Sequence, residues 1–134
     1  MIVVDTNIIG YLYLSGEWTA QAEEALKRDA NWTAPLLWRS EMRSVLLSYV
    51  RKGILRLEDA QQIMDEATAL MRAREYEVIS SEVLRLASGS KCSAYDCEFV
   101  ALAEDLSVPL VTVDRQVIGE FPEIAVSLQE FIEA

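Results

Sequence analysis

The sequence predicts an α/β protein built around a parallel sheet of five strands. Short apolar runs of β type alternate with stretches of helical periodicity along the whole chain. Two of these runs, Ile2-Val3-Val4-Asp5 and Leu110-Val111-Thr112-Val113-Asp114, are nearly continuous in apolar residues, as strands covered on both faces are. The gaps between runs are long enough for one or two crossover helices, which parallel strands require.

The elements follow in order. Strand one is residues 2–5, and Ile8, Ile9, Leu12 and Tyr13 recur behind it at helical spacing. A second helix runs from about Glu17 to Lys27 with Ala22, Ala25 and Leu26 inward. Trp32-Thr33-Ala34 is the second strand, and Pro35 suits the start of a helix. Trp38, Met42, Val45, Leu46, Tyr49 and Val50 form that helix's apolar stripe, and Gly53 closes it in the left-handed conformation. Arg51 to Leu57 is a helix–helix turn. Glu58 and Asp59 open the next helix, where their charge complements the dipole, and Ala60, Ile63, Met64, Ala67 and Met71 face inward. Glu77-Val78-Ile79 is the third strand, and Ser80 or Ser81 caps a short helix through Ala87. Ser93-Ala94-Tyr95-Asp96 opens a helix carrying Phe99, Val100, Leu102 and Ala103. Pro109 ends the turn into strand four, residues 110–113. A short helix after Asp114, a strand near Ile124-Ala125-Val126 and a helix from Gln129 complete a single domain, 1–134.

Composition narrows the function. The chain has 134 residues, 12 Lys and Arg against 22 Asp and Glu, a net charge of −10 and no histidine. Broad electrostatic capture of nucleic acid does not fit that balance. Cys92 and Cys97 are too few for a disulfide framework and lack companions for a zinc site, so they read as reduced thiols. Nothing resembles a signal peptide or a membrane span, which makes a cytoplasmic location the expectation. There is no glycine-rich phosphate loop, no Walker lysine and no dinucleotide fingerprint.

Four acids stand out. Asp5 and Asp114 end strands, and strand ends in open α/β sheets border the ligand crevice. Glu41 and Asp96 lie near helix starts, which point to the same edge. Each has a plainer reading: Asp5 and Asp114 as helix caps, Asp96 as the last member of a near capping box, Glu41 on a solvated face. Taken together they form a carboxylate cluster whose mutual repulsion a cation would relieve. Oxygen donors without histidine or cysteine suit Mg²⁺ or Mn²⁺. Asn7 and Thr112 stand beside the strand-end acids and either orient a carboxylate or make local turn bonds.

Val3-Val4-Asp5-Thr6-Asn7, Glu41 in a helix after Pro35, Tyr95-Asp96-Cys97-Glu98-Phe99-Val100-Ala101-Leu102-Ala103, and Leu110-Val111-Thr112-Val113-Asp114-Arg115 resemble the successive motifs of PIN-domain ribonucleases. In size and arrangement the chain is most similar to the VapC toxins of prokaryotic toxin–antitoxin pairs. The resemblance implies a PIN-like three-layer fold with strand order 3-2-1-4-5, flanked by helices. It implies that Asp5, Glu41, Asp96 and Asp114 bind catalytic Mg²⁺ or Mn²⁺. It also implies a homodimer, a VapB-like antitoxin that builds a heterotetramer or larger complex, and cleavage of RNA. The chain is unusually acidic for that role. Arg39, Arg43, Lys91 and Arg115 lie near the acids in sequence and are the candidate RNA contacts, each against the alternative of a solvated charge. Glu98, a fifth acid, is expected outside the metal-binding set, because positions two apart on a helix do not share a face.

These readings converge on a type II toxin: a metal-dependent endoribonuclease that hydrolyses phosphodiester bonds with metal-activated water, leaving a 5′-phosphate and a 3′-hydroxyl. The alternative is a catalytically weak PIN-like interaction module acting through its antitoxin complex. Phosphatase and receiver domains also place acids at strand ends. Here Asn7 stands where a haloacid-dehalogenase-type phosphatase has its second aspartate, and a receiver's acidic pair is absent.

Overall fold

A computed structural model describes residues 1–134. Its elements are β1 (Ile2–Val4), α1 (Thr6–Tyr13), α2 (Thr19–Arg28), β2 (Trp32–Pro35), α3 (Leu37–Arg51), α4 (Leu57–Leu70), β3 (Glu75–Tyr76), α5 (Ser80–Ser88), α6 (Ala94–Leu106), β4 (Leu110–Thr112), α7 (Arg115–Glu120), β5 (Ala125–Ser127) and α8 (Leu128–Glu133). The five strands form one parallel sheet in the order β3-β2-β1-β4-β5. No helix is long and apolar enough to cross a membrane.

Burial explains the order. All of β1 and β4 is inaccessible to solvent, as strands covered on both faces must be. Helix α6 packs across β1, β2 and β4 and pairs with α5, while α1, α2 and α8 pack together as a separate set. Cys97, Phe99, Val100, Ala101, Leu102 and Ala103 are all buried, so α6 is apolar on most of its circumference. Trp32 on β2 and Trp38 on α3 are fully buried anchors of the same core. Gly53 has φ +75° and ends α3 with the bonds of a Schellman motif, Gly53 N to Val50 O and Ile54 N to Tyr49 O.

Several boundaries differ from the sequence expectation. Pro35 is the last residue of β2 and does not start α3. Ala34 and Leu36 donate to the carbonyls of Arg74 and Tyr76 on the β3 side, so the nitrogen of Pro35 faces the β1 side, where pairing has already ended at Thr33. The missing donor is harmless there. The third strand is Glu75–Tyr76, two residues before Glu77-Val78-Ile79. It pairs Ala34 with Glu75 and Pro35 with Tyr76, Arg39 and Trp38 both bond the Glu75 carboxylate, and Val78 and Ile79 instead lead into α5. Neither Ser80 nor Ser81 caps α5; Ile79 is its capping residue and makes no side-chain bond. β1 and β4 are one residue shorter than expected and β5 is shifted by one. Asp5 N still donates to Val111 O at 3.1 Å, and Asp5 then serves as the cap of α1.

Candidate active site

Parallel strands deliver their C-termini, and the helices that follow, to one edge of the sheet. Asp5 directly follows β1 and Asp114 follows β4, and these strands are neighbours. Asp5 caps α1: Oδ1 accepts from Thr6 N at 2.8 Å, and Oδ2 accepts from Thr112 Oγ1 at 2.8 Å. The same Thr112 oxygen accepts from Asp114 N at 3.1 Å. One buried hydroxyl therefore links the two strand-end acids. Asp114 caps α7, its Oδ1 accepting from Gln116 N and Val117 N at 2.9 and 3.3 Å.

Glu41 comes from α3. Its Oε1 accepts from Thr6 Oγ1 at 2.7 Å. Asp96 occupies the first turn of α6, where Ser93 Oγ accepts from its backbone N–H at 3.0 Å. Only that half of the capping box forms. The Asp96 carboxylate makes no hydrogen bond within the chain and faces the cleft. Cys92 and Cys97 flank this cap as free, buried thiols. They occupy the positions of a hydrophobic staple.

Asp5, Glu41, Asp96 and Asp114 line one cleft of about 490 Å³, together with Thr6, Asn7, Ser40, Ser44 and Tyr95. The acids feel one another. Burial raises the Asp5 pKa, its bonds from Thr112 and Thr6 oppose the rise, and the charges of Asp96 and Asp114 add to it. Glu41 is also raised, first by burial, against the Thr6 bond, and further by Asp5, Asp96 and Glu98. The carboxylates stand on the cleft walls, and no three of them close on a single point as a preformed cation cage. Repulsion, the two helix caps and the threonine bonds hold them there.

The remaining expected residues are distributed differently. Thr112 is part of the site, and Asn7 lines the cleft from an exposed position. None of Arg39, Arg43, Lys91 and Arg115 lines it. Arg39 is committed to Glu75, Arg43 borders a groove between α3 and α4, and Lys91 and Arg115 are exposed nearby. Glu98 borders a separate depression with Val78, Ser80, Val83 and Leu84. Sequence reasoning overlooked Thr6, which is 4% exposed and reaches both Asp5 and Glu41. Its signal was a hydroxyl at the first position of an otherwise apolar helix turn, where it has no capping duty.

Residues 2–125 match the model of the family described as PIN domain. The chain is similar to Ribonuclease VapC3 of Pyrobaculum aerophilum, with 30% identity over 126 residues, 92% of this chain and 96% of the relative. In fold it is similar to the crystal structure of PAE2754 from Pyrobaculum aerophilum. That match has a TM-score of 0.78 and 20% identity, and it covers 98% of this chain and 93% of the other. With the family match spanning nearly the whole chain and the sheet in the order β3-β2-β1-β4-β5, the chain belongs to the PIN-domain family and to its VapC type.

Proposed function

We propose that this protein is a divalent-metal-dependent endoribonuclease, the toxin of a type II toxin–antitoxin pair. The observation that carries the reading is the single cleft into which Asp5, Glu41, Asp96 and Asp114 all open. Its charged groups are all carboxylates and no histidine or cysteine lines it, a donor set that suits Mg²⁺ or Mn²⁺, and the mutual repulsion of the acids is what such a cation relieves. The similarity to Ribonuclease VapC3 supports RNA as the substrate.

In this reading Asp5, Asp96 and Asp114 hold metal, and Glu41 holds metal or positions the attacking water. A bound divalent cation supplies a water acidic enough to ionise near neutral pH and positive charge for the leaving oxygen. The chain supplies placement. Thr112 fixes the Asp5 carboxylate against the Asp114 backbone, and Thr6 fixes Glu41 against α1. The helix caps hold Asp5 and Asp114 at the rim, leaving Asp96 free to turn toward a ligand. Attack by water leaves a 5′-phosphate and a 3′-hydroxyl, with the RNA 2′-hydroxyl uninvolved.

The test is incubation of purified protein with RNA and Mn²⁺ or Mg²⁺, with a chelator control and analysis of the product ends. Metal-dependent cleavage to 5′-phosphates supports the reading; 2′,3′-cyclic phosphates contradict it.

A VapB-like antitoxin, a homodimer and their higher assembly in the cytoplasm belong to the same proposal. An apolar groove of about 420 Å³ between α3 and α4, lined by Leu46, Leu47, Val50, Leu57, Ala60 and Met64, supports a protein partner. The net charge of −10 favours a second reading, a module that acts chiefly by docking a basic antitoxin segment. Tight antitoxin binding with no cleavage in Mn²⁺ would support it.

A further inference from the structure

Beside the acid cleft lies a smaller cavity of about 160 Å³. Tyr11 from α1, Trp18 at the entry to α2 and Tyr49 from α3 supply its aromatic lining. Asn7 and Val45 line both this cavity and the acid cleft, so the two adjoin. Tyr11 and Trp18 are stacked, with ring centroids 5.8 Å apart and planes 20° from parallel. All three rings are only partly buried, and of the tyrosine hydroxyls only that of Tyr13 bonds elsewhere in the chain. The hydroxyls of Tyr11 and Tyr49 are thus free to meet a polar edge.

Charge determines what fits here. No lysine or arginine lines either cavity, and the chain carries a net charge of −10. A nucleic acid normally gains affinity from cations on its phosphates. No basic side chain in the walls of either cavity supplies that here, so the uncharged parts of the strand carry a larger share of the affinity. Bases stacked on aromatic side chains provide it, at roughly 5- to 150-fold in binding per base. A cavity of about 150 Å³ accepts benzene, so the six-membered ring of a base is within the size admitted here.

We propose that the Tyr11–Trp18–Tyr49 cavity is a nucleobase subsite. It takes one unstacked base of a single-stranded RNA, a neighbour of the phosphodiester placed in the acid cleft. The inference rests on the nuclease reading and adds to it a place beside the acid cleft where one base is held, by stacking more than by charge. Duplex RNA is excluded, because its bases are paired and stacked within the helix.

The molecule carries its own probe. Trp32 and Trp38 are fully buried, leaving Trp18 as the tryptophan a base can reach. A short single-stranded oligoribonucleotide titrated into the whole protein in chelator should quench tryptophan emission saturably, and the same sequence as a duplex should not. Trp18→Leu should abolish the quenching and weaken binding of the labelled oligonucleotide about tenfold. Tyr49→Leu, which retains the probe, should weaken binding with quenching still visible at saturation. In Mn²⁺, an abasic residue at one position beside the scissile bond should lower kcat/KM about tenfold in the parent and leave Trp18→Leu unaffected. Binding without quenching, or equal abasic losses in both proteins, overturns the subsite. Cleavage with neither effect sinks the subsite and leaves the nuclease standing. Quenching without cleavage keeps the subsite and sinks the nuclease. Quenching by a basic peptide but not by RNA assigns the cavity to a protein and overturns the proposal.

Discussion

The buried hydroxyl of Thr6 donates to Glu41 Oε1 at 2.7 Å, joining the first turn of α1 to α3 across the cleft. Thr6→Val keeps the shape and removes the bond. Hydrogen bonds to charged groups are worth roughly 1.5–3 kcal/mol, so cleavage should fall about tenfold or more. The bond also lowers the pKa of Glu41 against its burial. Without it Glu41 titrates higher, and the acid limb of the pH–rate profile should move to higher pH. Thr6→Ser should keep most of the activity. Steady-state rates from acidic to neutral pH check all three statements.

Asp5→Asn should remove metal-dependent cleavage while leaving the fold intact or firmer. Asp5 and Glu41 bind protons more tightly folded than unfolded, because burial and their neighbours raise both. The stability such groups contribute is complete below the ordinary carboxylate pKa and is lost as pH rises through the raised values. Metal-free protein should therefore gain stability as pH is lowered from neutral toward the ordinary carboxylate range, and Asp5→Asn should flatten part of that slope. Urea melts at several pH values measure it.

Divalent cation should reverse that slope. Binding to the folded state alone stabilises by mass action, about 2.7 kcal/mol at a hundredfold excess over Kd. Mn²⁺ added to chelator-treated protein should raise Tm at neutral pH and do less in acid, where protons compete for the same oxygens. Asp96→Asn should reduce the shift without lowering the starting Tm.

Glu75 behaves in the opposite sense. Its bonds from Arg39 lead the causes that lower its pKa, with help from Trp38. Its stabilising contribution is present above the ordinary glutamate pKa and is lost as pH falls through the lowered value. Glu75→Gln should cost about 1–2 kcal/mol at neutral pH, discounted for the partial exposure of Arg39, and less in acid. Calorimetry with Mn²⁺ should show its cation affinity unchanged.

Gly53→Ala tests the fold alone. At φ +75° a Cβ meets nothing within 4 Å, so the penalty is one of backbone conformation, about 1–2 kcal/mol. Urea denaturation should show that loss with cleavage per folded molecule unchanged.

Much of this architecture was legible in the residues themselves. The runs at Ile2–Val4 and Leu110–Thr112 read as buried strands because nothing polar interrupts their apolar character except Thr112, whose hydroxyl serves the site. The third strand lies away from its expected place because Val78 and Ile79 have strand propensity, whereas Glu75 pairs with Ala34 of β2 and is anchored by an ion pair with Arg39 on α3, both remote in sequence. Pro35 was misread because its harmlessness depends on which neighbour its nitrogen faces. The role of Thr6 depends on where α3 brings Glu41. The aromatic cavity is hidden for the same reason: Tyr11 on α1, Trp18 just before α2 and Tyr49 on α3 are far apart in sequence and meet only in the fold.

Asp5 and Asp114 owe part of their presence to architecture, since each also caps the helix that follows it. A descendant that had lost its chemistry would still be under pressure to retain both, because their loss would fray α1 and α7. Retention of these two aspartates in a relative is therefore weak testimony that the relative still cuts anything. Glu41 and Asp96 spend no side-chain oxygen on a helix end, so under the proposed function their erosion is the earlier sign that a lineage has abandoned catalysis.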